Sequence, residues 1–221
     1  MLKAFLRFSG NMLDLRHYKR CYLKQLSNQR GIKMFRVLVI GSTGSGKSTT
    51  INAIFGKEKV KVGYGVAPET ARMKTWHINS RLAFIDTPGL GDESLKDEKY
   101  IKSIRNRIRN GRINAVLVLL EGQTRDIGTP YQLFNALKYE LKKLPLLVAI
   151  NKADIAISGR CWNSDINEPD QILSEFLDTK SDSVQRRIND NTGLRIKKPI
   201  CYSADKNWNL TALLDKLFQS F

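Results

Sequence analysis

The sequence predicts an α/β protein in which a mostly parallel sheet is covered by helices on both faces. Two observations point to this class. Continuous apolar runs, typical of strands buried on both faces, alternate along the chain with segments whose apolar residues recur at helical spacing. A glycine-rich loop, "GSTGSGKSTT" at residues 41–50, separates the first apolar run from the first helix. Such alternation is the pattern of α/β architectures.

Each predicted element has a local reason. Apolar runs predict the strands, and "NS" between the second and third predicts a hairpin that makes one edge strand antiparallel. Helical periodicity predicts the helices; Pro130 fits a first helical turn and Gly193 a helix end. The polar, turn-rich stretch 156–170 predicts a surface loop. The predicted strands are 35–40, 72–78, 81–86, 113–120, 145–150 and 198–203, and the helices are 47–56, 96–111, 130–143, 169–191 and 210–221.

The first 33 residues predict a basic amphipathic arm in front of a domain at 34–221. Eight cationic residues and the single acid Asp14 give this arm a formal charge of +7. Apolar residues recur in it at steps of three or four, as in a helix. The arm can pack on its own domain or on a second copy, lie on an anionic membrane, or bind ribosomal RNA. The recurring residues are Met12, Leu15, Tyr18, Tyr22 and Leu26.

The charge and the cysteine content of the chain indicate which partners and which cellular compartment to expect. A formal charge of +16 over 221 residues predicts anionic partners such as nucleic acid, ribosome or membrane surface, unless it serves solubility alone. Three widely spaced cysteines do not form a disulfide framework. Lys3 and Arg7 interrupt the first apolar stretch, which argues against a signal peptide, and no run is long enough for a membrane helix. We therefore expect a cytoplasmic protein.

The first motif, Gly41 to Ser48, fits G-x-x-x-x-G-K-[ST] and lies between a strand and a helix, the context that this phosphate-binding motif requires. Its glycines let the backbone amides converge on an anion, and the following helix adds its positive end. Lys47 can reach the β- and γ-phosphates, and the Ser48 hydroxyl can bind Mg²⁺. The candidate nucleotide ligands are Ser42, Thr43, Gly44, Ser45, Gly46, Lys47, Ser48 and Thr49.

A second motif, "DTPG", follows a strand about 40 residues after the phosphate loop begins. Asp86 is suited to hold Mg²⁺, and the Gly89 amide can approach a γ-phosphate because no side chain stands in the way. Pro88 and the glycines make a loop that can reorder when that phosphate leaves. Lys47 and Gly89 are therefore candidate catalytic residues, and Ser48 and Asp86 candidate metal ligands.

A third motif, "NKAD", ends the fifth strand. Asp154 can accept two hydrogen bonds from the N1 and N2 hydrogens of guanine, whereas adenine would leave the buried carboxylate unpaired. Asn151 can bond the base or tie this loop to the phosphate loop, and the Lys152 stem can lie over the purine. After the last strand, the Ala204 amide can meet guanine O6 and Ser203 can support Asp154. Together, the three motifs predict Mg²⁺·GTP.

The ordered set "GSTGSGKS", "DTPG", "NKAD" and "SAD" resembles the GTPase domain of the translation-factor-like P-loop class. Leu90 after "DTPG" narrows the resemblance to the group that includes Era, TrmE, EngA and the septins. "TGSGKSTTINAIFG" with "KNWNLTALLDKL" is similar to bacterial ribosome-binding-GTPase-like proteins. The resemblance covers 34–221 and not the arm. It implies a three-layer P-loop GTPase fold whose six strands run in the order 2-3-1-4-5-6.

The resemblance also implies a switch threonine that closes on Mg²⁺, with a catalytic role. Thr70, in the loop before the second strand, is the candidate, and Thr75 is the alternative. Leu90 occupies the place of a water-positioning glutamine, so we expect slow intrinsic hydrolysis that a partner, a dimer or another residue accelerates. Gly44 stands where potassium-activated members carry asparagine, so the resemblance does not predict potassium activation through that ligand.

Two functions remain open at this point. The first is a GTP-hydrolysing switch that acts on the ribosome or RNA. The second is a GTP-dependent assembly module, septin-like or membrane-associated, in which hydrolysis is incidental and a nucleotide-dependent homodimer can form. The predicted helix 96–111 bears on the first, because it has a basic stripe beside the second motif that is either a solvated face or an RNA-facing patch. That stripe comprises Lys99, Lys102, Arg105 or Asn106, Arg109 and Arg112.

Overall fold

A computed structural model describes residues 34–55, 73–78, 80–89, 94–123 and 128–219. The predicted arm, Thr70 and Leu90 lie outside these ranges. The strands are β1 (Phe35–Gly41), β2 (Lys74–His77), β3 (Leu82–Asp86), β4 (Ala115–Glu121), β5 (Leu146–Asn151), β6 (Trp162–Asn163), β7 (Glu168–Pro169) and β8 (Ile200–Cys201). The helices are α1 (Lys47–Phe55), α2 (Ser94–Asn110), α3 (Gly128–Ala136), α4 (Lys138–Leu141), α5 (Gln171–Thr192) and α6 (Leu210–Phe218).

Six strands form one sheet in the order β2-β3-β1-β4-β5-β8. Only the β2–β3 pair is antiparallel among the described pairs of this sheet. Counted along the chain within this sheet, the order is 2-3-1-4-5-6, which confirms the prediction. The register pairs Val39 with Asp86 and Glu121 with Asn151, so the carboxyl ends of β1, β3, β4 and β5 meet at one edge.

Alternate residues of the central strands enter two apolar layers. Val37 and Val39 of β1 pack with α1 and α6 on one face, through residues such as Ile51 and Leu213. Leu38 and Ile40 pack on the other face against the layer that contains α2, α3, α4 and part of α5. These four strand residues are fully buried, which explains why β1 reads as an unbroken apolar run. None of the helices in the described ranges is both long and apolar enough to cross a bilayer.

The prediction of one continuous helix over 130–143 is wrong. The structure has α3 and α4, separated at Leu137, whose φ of −110° and ψ of 10° depart from helical values. Leu137 is fully buried, and backbone bonds Leu137 N to Leu133 O and Leu141 N to Leu137 O still bridge the break. Burial of this side chain therefore accompanies a local distortion that apolar periodicity cannot reveal.

The region after β5 also differs from the prediction. Within the expected surface loop 156–170, β6 and β7 pair as a short antiparallel hairpin. Its Trp162 ring packs edge-to-face on Trp208, with the ring centroids 5.6 Å apart. The last strand is shorter than predicted, because Ser203 leaves the sheet and pairs with Trp208 instead. The expected end of α5 is confirmed: Gly193 caps it at a φ of 63°.

Candidate functional site

The predicted motifs converge at the carboxyl edge of the sheet. The phosphate loop follows β1, the "DTPG" loop follows β3 and the "NKAD" loop follows β5. In open α/β sheets this edge is where ligands bind. The fold thus brings segments more than 100 residues apart to one edge of the sheet.

Two glycines give the phosphate loop its shape. Gly44 and Gly46 have φ values of 81° and 83°, in the left-handed region that favours glycine. A Cβ on Gly46 would also collide with the side-chain amide of Asn151. Ser45 N donates to Ser42 O at 3.2 Å inside the loop. The loop therefore has the tight, amide-rich geometry that a phosphate site needs.

Lys47 begins α1 and is largely buried, with 7% of its surface exposed. Its Nζ donates to the carbonyl oxygens of Gly41, at 3.2 Å, and Ser42, at 2.9 Å. These bonds curl the ammonium back over the loop, toward the positive end of α1. The arrangement concentrates positive charge at one point, as phosphate oxygens require.

Ser48 and Asp86 are brought together as the predicted metal ligands. The Ser48 hydroxyl donates to Asp86 Oδ2 at 2.8 Å. Burial raises the pKa of the Asp86 carboxyl, against the opposing effects of the Ser48 hydrogen bond and the charge of Lys47. Asp86 Oδ1 is buried and has no hydrogen-bond partner within the described ranges. A buried carboxylate oxygen left unpaired beside a hydroxyl fits Mg²⁺, which takes hard oxygen ligands.

The described residues contain no cluster of three or more His, Cys, Asp or Glu side chains that could hold a metal ion. Mg²⁺ in nucleotide sites is held by one or two protein oxygens, while phosphates and waters supply the rest. Ser48 and Asp86 would hold it here.

Thr87 anchors the "DTPG" loop. Its hydroxyl donates to Val39 O at 2.7 Å and lies 2.9 Å from the Tyr100 hydroxyl, so it joins β1, the loop and α2. A Cβ on Gly89 would lie 2.6 Å from the Thr43 backbone nitrogen. Gly89 is thus pressed against the phosphate loop, where only glycine fits. This position is consistent with the predicted approach of its amide to a γ-phosphate.

Asn151 takes the second of its two predicted roles, since it ties the loops together. Its Nδ2 donates to Ser45 O at 3.0 Å, and its Oδ1 accepts from Ala204 N at 3.0 Å. Asp154 is buried, and its carboxylate makes no hydrogen bond or ion pair with described residues. One side chain therefore spans the phosphate loop and the segment after β8, beside a carboxylate that is free to accept.

Three predicted contacts have different partners in the structure. Ser203 Oγ accepts from Lys206 N rather than supporting Asp154. The Ala204 backbone N–H, which was expected to meet guanine O6, donates to Asn151 Oδ1. Lys152 has a left-handed φ of 61° and forms an ion pair with Glu121 at 3.0 Å. Which of these positions touches nucleotide stays a prediction.

The remaining predicted nucleotide ligands lie in the phosphate loop or in the first turn of α1. Ser42 and Thr43 are in the phosphate loop, and Thr49 is in the first turn of α1. The alternative switch threonine, Thr75, lies inside β2, where its hydroxyl accepts from Arg107 at 3.4 Å. That location favours a structural role for Thr75.

Sequence reasoning missed a buried hydroxyl pair beneath the phosphate loop. Thr50 Oγ1 lies 2.7 Å from the hydroxyl of Tyr202 and 2.7 Å from Gly46 O, which accepts its hydrogen. Tyr202 is fully buried. The pair connects the phosphate loop to the segment that directly follows β8. No motif spacing signals it, because the two residues are 152 positions apart.

The prediction that the basic stripe of 96–111 lies next to the second motif holds only for the start of α2. Arg105 and Arg109 lie near the far end of the helix, and both form ion pairs with Glu140, at 3.2 and 2.7 Å. The apolar stripe of the same helix is core, as predicted, with Ile104 fully buried. The cationic end of α2 is therefore remote from the site.

Comparisons with known proteins agree with the fold and the motifs. GTPase Era from Ehrlichia ruminantium is 30% identical over 122 residues, which is 42% of this chain and 41% of that protein. A structure of Toc33 from Arabidopsis thaliana in complex with GDP and Mg²⁺ superposes with a TM-score of 0.67 at 19% identity, covering 93% of this chain and 91% of that one. A dimerization-deficient mutant of Toc33 superposes equally well, at 0.68.

A structure of Era in complex with MgGDPNP and a segment of 16S ribosomal RNA superposes with a TM-score of 0.60 at 18% identity, over 86% of this chain and 57% of that one. At these identities the superpositions show the fold. The chain spans less than half the length of the first curated relatives that it matches.

A family model described as 50S ribosome-binding GTPase matches residues 36–152. The match contains the phosphate loop, the "DTPG" loop and the start of "NKAD", and it covers more than half of the chain. Its members are GTPases, which confirms the family predicted from the motifs. The chain therefore belongs to the family of 50S ribosome-binding GTPases.

Proposed function

We propose that this protein binds Mg²⁺·GTP, hydrolyses it slowly to GDP and phosphate, and acts as a nucleotide-dependent switch. The observation that carries the proposal is the pair of hydrogen bonds made by Asn151, to Ser45 O and from Ala204 N. They hold the segment that would read the base at a fixed distance from the loop that would hold the phosphates. A site for a whole nucleotide needs that spacing.

Each side chain has a role in this proposal. Lys47 and the amides of residues 42–49 bind the phosphates, and Asp154 accepts from guanine. Ser48 and Asp86 would hold Mg²⁺, and Thr70 is the proposed switch ligand. The ion, when bound, neutralises charge on the β- and γ-phosphates. Gly89 donates its amide toward the γ-phosphate, so the loop after β3 senses whether that group is present.

Slow hydrolysis follows from Leu90, because leucine cannot orient an attacking water by hydrogen bonds. The protein would then persist in its GTP state until a partner accelerates the reaction. We propose ribosome or RNA as that partner, in the cytoplasm. The charge of +16, the description of the family and the Era–RNA complex support this choice.

A second candidate is a GTP-dependent assembly module, septin-like or in contact with a membrane surface, that forms a homodimer. The structural likeness to Toc33, a protein for which a dimerization-deficient mutant exists, favours the dimer. In that case hydrolysis would rise with protein concentration in the absence of RNA.

Nucleotide choice is tested by competition. The full chain is titrated with a fluorescent GDP analogue, which is then displaced by GTP, GDP or ATP, with Mg²⁺ or with EDTA. We expect GTP and GDP to displace the probe and ATP to fail at concentrations at least about a hundredfold higher, since a mispaired buried carboxylate costs several kcal/mol. Equal displacement by ATP would refute the assignment of Asp154.

A further inference from the structure

The edge of the sheet opposite the nucleotide site carries a concentration of cations. Two open surface depressions adjoin there and share Lys142. Glu140 is the one acidic side chain among their lining residues. We call this surface the basic pole. Its cationic residues are Arg105, Arg109, Lys138, Lys142, Arg195 and Lys197.

Chain direction places the basic pole far from the nucleotide. Helix α2 starts soon after the "DTPG" loop, and its 17 residues rise about 25 Å to the end that carries Arg105 and Arg109. Pro145, which lines the pole, immediately precedes β5, and residues 194–197 precede β8. These segments lie at the amino ends of parallel strands, whereas nucleotide ligands lie at the carboxyl ends.

Glu140 holds two of the arginines side by side. It is 5% exposed, and its Oε1 accepts a hydrogen bond from Arg109 at 2.7 Å and forms an ion pair with Arg105 Nε at 3.2 Å. Arg105 also donates to Ala136 O at 2.6 Å. Arg109 remains 58% exposed, so part of its guanidinium side chain is accessible to a ligand. A buried carboxylate thus orients guanidinium groups toward the surface, which favours binding of phosphate by a planar fork.

An aromatic ring stands among these cations. Tyr139 is 65% exposed and lies next to Glu140 in α4. The Lys143 ammonium sits 3.8 Å from its ring centroid. An exposed ring beside phosphate-binding cations is the combination that single-stranded nucleic acid recognises, since bases stack on the ring while cations follow the backbone.

We propose that the basic pole is a docking surface for RNA with unpaired bases, with one base stacked on Tyr139. The proposal rests on the proposed function, because it locates the partner of the switch.

Apolar exposure argues for RNA over a membrane. Besides Tyr139, the exposed large hydrophobic residues in the described ranges are Ile155, Ile166, Ile172 and Phe176. All four belong to the segment after β5 and the first turns of α5, near the opposite edge of the sheet. A surface helix needs an apolar face to enter a bilayer, and the pole offers a single ring.

The test is the affinity of the full chain, loaded with GDP, for a short fluorescein-labelled single-stranded RNA and for a duplex of equal length, measured by anisotropy over a salt series. The charge reversals are Lys142→Glu and Lys197→Glu. Arg160→Glu is the matched control, because Arg160 is exposed on the loop after β5. Binding of the fluorescent GDP analogue by each variant verifies its fold.

We expect each pole reversal to weaken RNA binding about tenfold at low salt and to reduce the slope of log affinity against log salt by about 1. The control should lose less than about threefold. Tyr139→Ala should lose about tenfold on the single strand and little on the duplex, and Tyr139→Phe should retain binding because the ring remains.

The contrary outcomes separate the two proposals. If the pole variants bound RNA as tightly as the wild type, the basic pole would not be the RNA site, and RNA would be a partner that binds elsewhere. The same conclusion would follow if Arg160→Glu lost as much RNA affinity as the pole variants. Wild-type protein that binds phosphatidylserine vesicles but neither RNA would overturn both the pole and the RNA partner. Binding of GTP would stand in every case.

Discussion

The side-chain amide of Asn151 donates a 3.0 Å hydrogen bond to the carbonyl of Ser45, across 106 positions of the chain. The Oδ1 atom of the same side chain accepts a hydrogen bond from the Ala204 backbone N–H. Both groups are buried, so a lost bond would not be replaced by water at no cost. This one residue therefore couples the loop that would read guanine to the loop that would hold phosphate.

Asn151→Ala should lower GTP affinity and destabilise the fold together, because Ser45 O and Ala204 N would both lose their partner. We expect a loss of about 1–3 kcal/mol in unfolding free energy, measured by urea denaturation of the nucleotide-free protein. Asn151→Asp keeps the acceptor for Ala204 but sets a buried carboxylate oxygen against Ser45 O in place of the donor, so it should cost at least as much as Asn151→Ala. If the wild type and both variants had equal free energies of unfolding, the hydrogen bonds of Asn151 would not stabilise the fold.

Asp154→Asn should shift preference from guanine to xanthine nucleotides. An amide can donate to the extra carbonyl of xanthine, whereas the carboxylate of Asp154 can only accept. We expect GDP to bind at least about tenfold more weakly and XDP to bind more tightly than in the wild type, by calorimetric titration. A variant with unchanged GDP affinity would remove Asp154 from the site.

Lys47→Ala should weaken triphosphate binding far more than it changes the melting temperature. The ammonium has two carbonyl partners inside the loop, and in the proposed function its charge would act on the phosphates of the nucleotide. Lys216→Ala is a control of equal chemistry, since the Lys216 ammonium also donates to a carbonyl, that of Lys198. If both variants bound GTP equally well, Lys47 would be an ordinary structural lysine.

Stability should fall steeply above pH 10 because of Tyr202. Complete burial raises the pKa of this phenol above its ordinary 10.0, so the folded state keeps a proton that the unfolded state releases. The stability that the neutral phenol contributes is fully present below pH 10. It is lost between pH 10 and the raised pKa of the folded state, by about 1.4 kcal/mol per pH unit. Tyr202→Phe should flatten this decline in urea titrations between pH 9 and about 11.

The neighbouring Cys201 supplies the control for that experiment. Burial raises the pKa of its thiol to about 12, from 9.0, which gives a decline of the same sign that begins near pH 9. The loss from Cys201 therefore starts about one pH unit below that from Tyr202. Cys201→Ala should flatten the curve from pH 9 upward, and the part of the decline that Tyr202→Phe removes should start only near pH 10. An unchanged slope in Tyr202→Phe would assign the decline to other groups.

The parts of the fold that the sequence revealed are those with strong local signals. Strands β1 and β5 lie within one residue of their predicted ends, because each is an unbroken apolar run that stops at a polar motif. Helix α3 and α4 read as one helix, since a distortion at a single buried leucine leaves the apolar spacing intact. Strand β8 is short because Ser203 pairs outside the sheet.

The site was predictable as a set of motifs but not as a set of contacts. Spacing left open whether Asn151 meets the base or the phosphate loop, and only the three-dimensional register shows the bond to Ser45. The Thr50–Tyr202 pair has no sequence signal at all. The basic stripe of α2 was expected beside the switch, but charge patterning does not say which end of a helix faces a site.

The decisive experiment is single-turnover GTP hydrolysis by the full chain, with and without purified ribosomes and at several protein concentrations. We expect slow Mg²⁺-dependent release of phosphate that ribosomes or RNA accelerate and Lys47→Ala abolishes. Acceleration by protein concentration alone would favour the assembly module. GTP that stays intact under every one of these conditions would contradict the claim that this protein is a hydrolysing switch.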